Sequence, residues 1–221
     1  MLETIIKMWS KYGYVYLNGL AGTLCLAAIT VFCGTLLGTV LAVMRLSKVK
    51  PFQWVVRFYV WVLRGTPILL QLYFFWIFLP RIVHVRISDT FCIVIALIVN
   101  ASSYVAEVIR AGIQAVDKGQ MEAARSLGMT SSHAMTKIIL PQAVKNILPA
   151  LGNEFITMIK QASLASVFFI NELTTSYKTV SSATFRQVES IIIAGCIYLL
   201  VTTVLGKILE YVEWRMNRND R

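Results

Sequence analysis

Long apolar runs alternate with short polar segments along this chain, and the spacing predicts membrane-crossing helices. Positions 19–44 hold no charged residue, and at ~1.5 Å per residue such a run is long enough to cross a hydrocarbon core of about 30 Å. We read five spans, at 18–44, 56–80, 90–112, 148–170 and 188–211. The fourth is unusually polar, because Asn153, Glu154, Thr157, Lys160, Gln161 and Ser163 fall within it. The second carries an internal break at Arg64-Gly65-Thr66-Pro67. Pro67 removes a helical hydrogen bond and disfavours helix at Thr66, and in lipid such a break survives only against protein or a wet cavity. Positions 1–17, with Glu3, Lys7 and Lys11 among Trp9, Tyr12, Tyr14 and Tyr16, predict a separate interfacial helix at headgroup level. An outer loop is expected at 171–186 and a cytoplasmic tail at 213–221.

The longest polar stretch runs from 113 to 145 and predicts two short helices. The first covers roughly 120–127, is rich in Ala, Glu and Arg, and stops at Gly128. Thr130 or Ser131 caps the second, which is expected to end near Leu140, before Pro141. Pro149 then opens the fourth span. Gly34 and Gly38 form a small-xxx-small pair in the first span, which reads as a helix-packing seam.

Composition agrees with an all-α integral membrane protein. Hydrophobic residues make up 57% and charged residues 14% of the 221 positions, against roughly 45–50% and ~25% in soluble domains. The net charge of +10 does not indicate nucleic acid, since no basic stripe alternates with aromatics. Lys and Arg sit between the spans instead: the 45–57 loop, the 110–145 segment and the 207–221 tail are basic. The positive-inside rule puts these on the cytoplasmic face, with the N-terminus outside and the C-terminus inside. Arg81, Arg86, Lys178 and Arg186 on the outer side reduce the contrast. Cys25, Cys33, Cys92 and Cys196 lie in apolar spans without CxxC spacing, which reads as packing, not metal binding or disulfides. The lone His84 has no second ligand at binding spacing. No Walker A motif is present, since Gly206-Lys207 is followed by Ile208. Nor is there a nucleophile–base set or a paired-carboxylate constellation. We expect no catalysis, cofactor or metal in this chain.

Glu122, Ala123, Ala124 and Gly128, followed by Ile138, Leu140 and Pro141, resemble the EAA loop of bacterial ATP-binding cassette importer permeases. Arg64-Gly65-Thr66-Pro67 with Gln71-Leu72-Tyr73-Phe74-Phe75, the run 104–112 leading into Gly119-Gln120, and 148–155 with 160–164 resemble the polar amino acid uptake subgroup. Many members of that subgroup carry an acid where Gln161 stands. The resemblance covers about residues 14–212. It implies the type I importer permease fold, with five helices and a cytoplasmic coupling hairpin, in the bacterial inner membrane. It implies that Glu122, Ala123, Ala124, Arg125 and Gly128 form the docking site for an ATPase. The expected partners are a second permease copy or a paralogue, two ATPase subunits and an extracytoplasmic solute-binding protein. The function implied is alternating-access import of polar amino acids. A stand-alone channel or secondary carrier for a small polar solute is the alternative, but it needs no docking helix.

Candidate substrate contacts follow from polarity inside the membrane, which is costly and marks pathways. Asn100, Ser103, Tyr104 and Glu107 recur at helical spacing on the third span. Glu107 and Arg110, three apart, are expected to neutralise each other. On the fourth span Asn153, Glu154, Thr157 and Gln161 share a face with Lys160 at its edge, and Gln71 lies near the break. A purely structural polar network weighs evenly against substrate binding here. In the functional reading Glu154 takes an α-ammonium or a basic side chain, and helix-end amides or Lys160 take the α-carboxylate.

Overall fold

A computed structural model describes residues 1–218, and all regular structure in it is helical. The first apolar run does not begin a new helix at 18. Helix α1 is continuous from Leu2 to Leu46, 45 residues, or about 67 Å at 1.5 Å per residue, so it extends well beyond a bilayer core. The separate interfacial helix expected over 1–17 is therefore corrected. Met8, Tyr12 and Tyr16 pack in one apolar cluster with Leu173, Val180 and Ile193, and the Tyr16 hydroxyl meets the Ser190 hydroxyl at 2.5 Å. Tyr16 is fully buried, and this packing outweighs the pull of the headgroup layer.

Helix α2 (Lys50–Gly65) and helix α3 (Ile68–Val83) form the broken second span, bent by 110° at Thr66-Pro67. Helix α4 (Asp89–Gln114) lies against α1 over the greatest length of any pair. Gly34 and Gly38 make that closeness possible. A Cβ on Gly34 would sit 2.9 Å from the Ala101 Cβ, and one on Gly38 2.7 Å from the Val105 Cβ. The small-xxx-small seam is thus intramolecular.

The polar stretch folds as helix α5 (Lys118–Ser126) and the single turn α6 (Ser131–Ala134). Asp117 caps α5 and Thr130 caps α6, accepting from the His133 N–H. Gly128 has φ of +85°. The Met129 N–H reaches the Ala124 carbonyl and the Gly128 N–H the Arg125 carbonyl, which is the Schellman pattern. The expected stop before Pro141 does not occur. A π-helical turn, Met135–Ile139, leads directly into helix α7 (Leu140–Gln161). Pro141 sits in the first turn of α7, where a missing N–H removes no bond that the widened turn needs. Pro149, expected to open a helix, lies within α7 instead.

After α7 a 3-10 stretch, Ala162–Phe168, ends at Phe169 in the left-handed region. The outer loop expected at 171–186 contains helix α8 (Leu173–Thr184). Glu172 is the reason that α8 starts there. Its carboxylate accepts from the backbone N–H of Thr174 (2.7 Å) and of Thr175, and from the Tyr198 hydroxyl (3.0 Å). Helix α9 (Gln187–Arg218) is the last span. Of the expected tail 213–221, positions 219–221 lie outside the described residues.

Among the described residues, α1, α4 and α9 are long and apolar enough to cross a membrane, and the bent α2–α3 pair is so when taken together as one span. Helix α7 is too polar to qualify by composition. It packs against α1, α4 and α9. Its polar residues are tolerable only because protein covers part of their face.

Candidate translocation site

The polar positions meet where α4 and α7 run antiparallel. The crossing is tied at three levels. Ile147 lies where a Cβ on Gly112 would be, Leu151 packs on the same apolar cluster as Val108 and Ile109, and Met158 and Ile159 share a cluster with Ala101. This register places Glu154 between the last two levels, at the depth of Tyr104.

On α7 the sequence-predicted face divides into two stripes. Glu154 and Gln161, seven apart, flank the buried Met158 on the inner stripe. Asn153 and Lys160, also seven apart, stand exposed. Thr157 lies between them and turns its hydroxyl back to the Asn153 carbonyl, 2.9 Å away. One carboxylate oxygen of Glu154 and the Gln161 side-chain carbonyl are buried without a donor among the described residues. Buried acceptors left unpaired are costly and call for an explanation.

Gln71 and Asn100 do a structural task. The Gln71 amide donates to the Leu63 carbonyl (2.7 Å), the Thr66 carbonyl (3.1 Å) and the Thr66 hydroxyl (2.8 Å). These are acceptors that the break at Pro67 leaves without helical partners. Its carbonyl accepts from the Asn100 amide at 2.9 Å, tying the break to α4. Asn100 is 2% exposed, and its own carbonyl oxygen is unpartnered. Ser103 is buried and donates its hydroxyl to the backbone carbonyl of Asn100 within its helix.

Glu107 is shared between two arginines. One oxygen accepts from Arg110 and the other from Arg45 of α1. The pair expected within α4 is present, and Arg45 makes it a tie between helices. Tyr104, half-buried, carries the Arg64 guanidinium over its ring, 5.2 Å from the centroid. Arg64 is absent from the sequence-derived candidates. The available signal was a cation in the middle of a span, immediately before the break.

The coupling residues form an exposed ledge. Glu122, Ala123, Arg125 and Gly128 are exposed, while Ala124 is buried. Arg125 donates to the Met129 carbonyl at 2.9 Å, bracing the turn. Leu127 projects with 85% exposure, an apolar knob beside the ledge. Behind it, Met121, Met135 and Ile138 pack with Val116, Ile139, Ala143 and Ile147. The hairpin is therefore joined through one apolar cluster to the two helices that carry the polar site. Among the described residues no group of three or more His, Cys, Asp or Glu side chains is arranged to hold a metal.

Residues 34–218 match the family of binding-protein-dependent transport system inner membrane components. The chain belongs to this family. It is 40% identical over 204 residues to the arginine transport system permease protein of Bacillus subtilis, covering 92% of this chain and 93% of that one. It is 38% identical to the nopaline transport system permease protein of Agrobacterium fabrum, over 100% and 93% of the two chains. Among solved structures it superposes with a TM-score of 0.90, at 45% identity, on a chain of an amino acid ABC transporter crystallised with histidines, covering 93% of this chain and 96% of that chain. The fold is that of the type I ABC importer permeases, and the chain is an inner-membrane permease subunit.

Proposed function

We propose that this chain carries polar amino acids into the cytoplasm as half of a dimeric permease. A second copy or a paralogue supplies the other half, two ATPase subunits drive it, and an extracytoplasmic binding protein delivers the substrate. ATP hydrolysis belongs to the separate subunits. The observation that carries this reading is the continuity from ledge to site. The exposed α5 hairpin and the polar faces of α4 and α7 share one apolar cluster, Val116, Ile139, Ala143 and Ile147 with their neighbours. A push on the ledge moves both polar faces together, and interfaces packed this densely switch between discrete arrangements.

Glu154 is placed to take the substrate ammonium, and the unpartnered acceptors of Asn100 and Gln161 are placed to complete its hydrogen bonds. Gln71, Ser103 and Thr157 serve by holding backbone, while Asn153 and Lys160 line the exposed approach. Glu122, Ala123, Ala124, Arg125 and Gly128 form the ATPase contact, with Leu127 beside them. The ledge faces the cytoplasm, as does the C-terminus, and the N-terminus lies outside.

The test is uptake and ATP hydrolysis by the full complex in proteoliposomes, with a panel including arginine, glutamine and histidine. We expect ATP-dependent uptake of at least one. Uptake that proceeds without any ATPase subunit would support the stand-alone carrier instead.

A further inference from the structure

Arg64 stands near the end of α2, two residues before Thr66, in the bent helix pair that reads as one membrane span. It makes no hydrogen bond and no ion pair with any described residue, and its one close partner is the Tyr104 ring. A guanidinium at that depth needs an anion or a wet cavity. Two carboxylates belong to this region, Glu107 one turn from Tyr104 on α4 and Glu154 at the depth of Tyr104 on α7. Glu107 is occupied, with both oxygens committed to Arg45 and Arg110. Glu154 is available but forms no ion pair with Arg64, and one of its oxygens remains without a donor. Arg64 and Glu154 thus come to the level of Tyr104 from different helices, as opposite charges that form no ion pair. The nearly fully buried Asn100 adds an unpartnered acceptor on the same side of α4 as Tyr104.

This arrangement matches a zwitterion. The planar guanidinium offers parallel N–H groups to a carboxylate, and stacking on Tyr104 fixes the plane of that fork. Lys160, the sequence-derived candidate for the same role, is exposed as Arg64 is but has no such orienting contact among the described residues. We propose that Arg64, oriented by Tyr104, binds the α-carboxylate of the amino acid whose ammonium is held at Glu154. This rests on the amino acid import reading given above and adds the polarity of the bound substrate. Amino acids with a free α-carboxylate satisfy both charges. Their amides and decarboxylated amines leave Arg64 unpaired.

The test uses the complete complex in proteoliposomes, with uptake and ATP hydrolysis measured together for arginine, glutamine and histidine. Arg64→Gln is expected to lower uptake of every transported amino acid about 10-fold or more. Arg64→Lys, which keeps the charge but loses the fork, is expected to fall between Arg64→Gln and wild type. Wild-type uptake by Arg64→Gln, with Glu154→Gln impaired, overturns the role of Arg64 and leaves the site reading intact. Wild-type uptake by both variants overturns the site reading as well. Equal loss of uptake and hydrolysis in Arg64→Gln and Arg64→Lys marks a residue that only holds the break, and also overturns the proposal.

Discussion

At the scale of single residues, the polar side chains within the membrane sort by whether their hydrogen bonds are complete. The Gln71 amide is fully engaged at the break, and Glu107 is engaged by two arginines. Such groups hold helices together. Glu154 differs, because half-buried as it is, one carboxylate oxygen has no donor. A charge left in that state disfavours the empty site and favours a cationic group from outside the chain. Glu154→Gln removes the charge at constant shape. Half-saturation for transported amino acids is expected to rise roughly 10- to 100-fold, the range for losing a hydrogen bond to a charged group. The order of preference within the panel is expected to change, and basal ATP hydrolysis to be unchanged. Wild-type half-saturation for every amino acid would make Glu154 structural.

At the scale of elements, two glycines act for different reasons. Gly128 is needed for its backbone. With φ at +85° and no heavy atom within 4 Å of a built Cβ, space is not the constraint. The left-handed conformation is, and an L side chain there costs about 1–2 kcal/mol. Gly128→Val is expected to loosen the Schellman turn and turn the ledge of α5. ATP-driven uptake should then fall severely while insertion and the melting temperature of the permease stay close to wild type; normal uptake would remove the docking role of this hairpin. Gly38 is needed for its size. A Cβ there meets Val105 at 2.7 Å and the Ser102 carbonyl at 2.9 Å, and neither is the end of a flexible side chain. Gly38→Val is expected to destabilise the α1–α4 contact by about 1–3 kcal/mol, read as lower thermal stability of the purified protein. Gly65→Ala, where nothing lies within 4 Å of the added Cβ, serves as the matched control and should melt as wild type does.

At the scale of the whole molecule, the charge distribution and the hairpin make the same claim about orientation. The α1–α2 junction, the start of α2 and the hairpin carry Lys48, Lys50, Arg57, Lys118, Arg125 and Lys137, which the positive-inside rule assigns to the cytoplasmic side. Cysteines substituted at the exposed Lys48 and Ser132 are expected to react with an impermeant maleimide only from the cytoplasmic side, and one at the exposed His84 only from outside. Labelling at Ser132 from the outer face would reverse the orientation and separate the ledge from any cytoplasmic ATPase. The apolar exterior is consistent with this setting. Phe32, Leu36, Phe58, Trp61, Leu199 and Leu200 are each more than half exposed, which lipid or a second subunit would cover.

Local chemistry that acts within a few residues was legible in the sequence. The break at Pro67, the Gly128 stop and the Thr130 cap each depend on near neighbours in the chain, and each is found where the pattern put it. So were the residue types of the ledge and the polar positions of α4 and α7. Tertiary contacts decided the remainder. The first helix continues through 1–17 because Tyr16 has Ser190 as a buried partner, 174 positions away, and a headgroup layer offers less than that burial. Helix α8 forms where a loop was expected because Glu172 meets both its own first turn and Tyr198 of another helix. Pro141 and Pro149 do not end helices because a π turn and the packing of α7 against α1, α4 and α9 absorb them. The polar face of α7 divides into an inner and an exposed stripe because one helix wheel cannot record which side α4 covers. Arg64 lies over the Tyr104 ring at the 110° bend, a proximity with no trace in the spacing of the two residues along the chain.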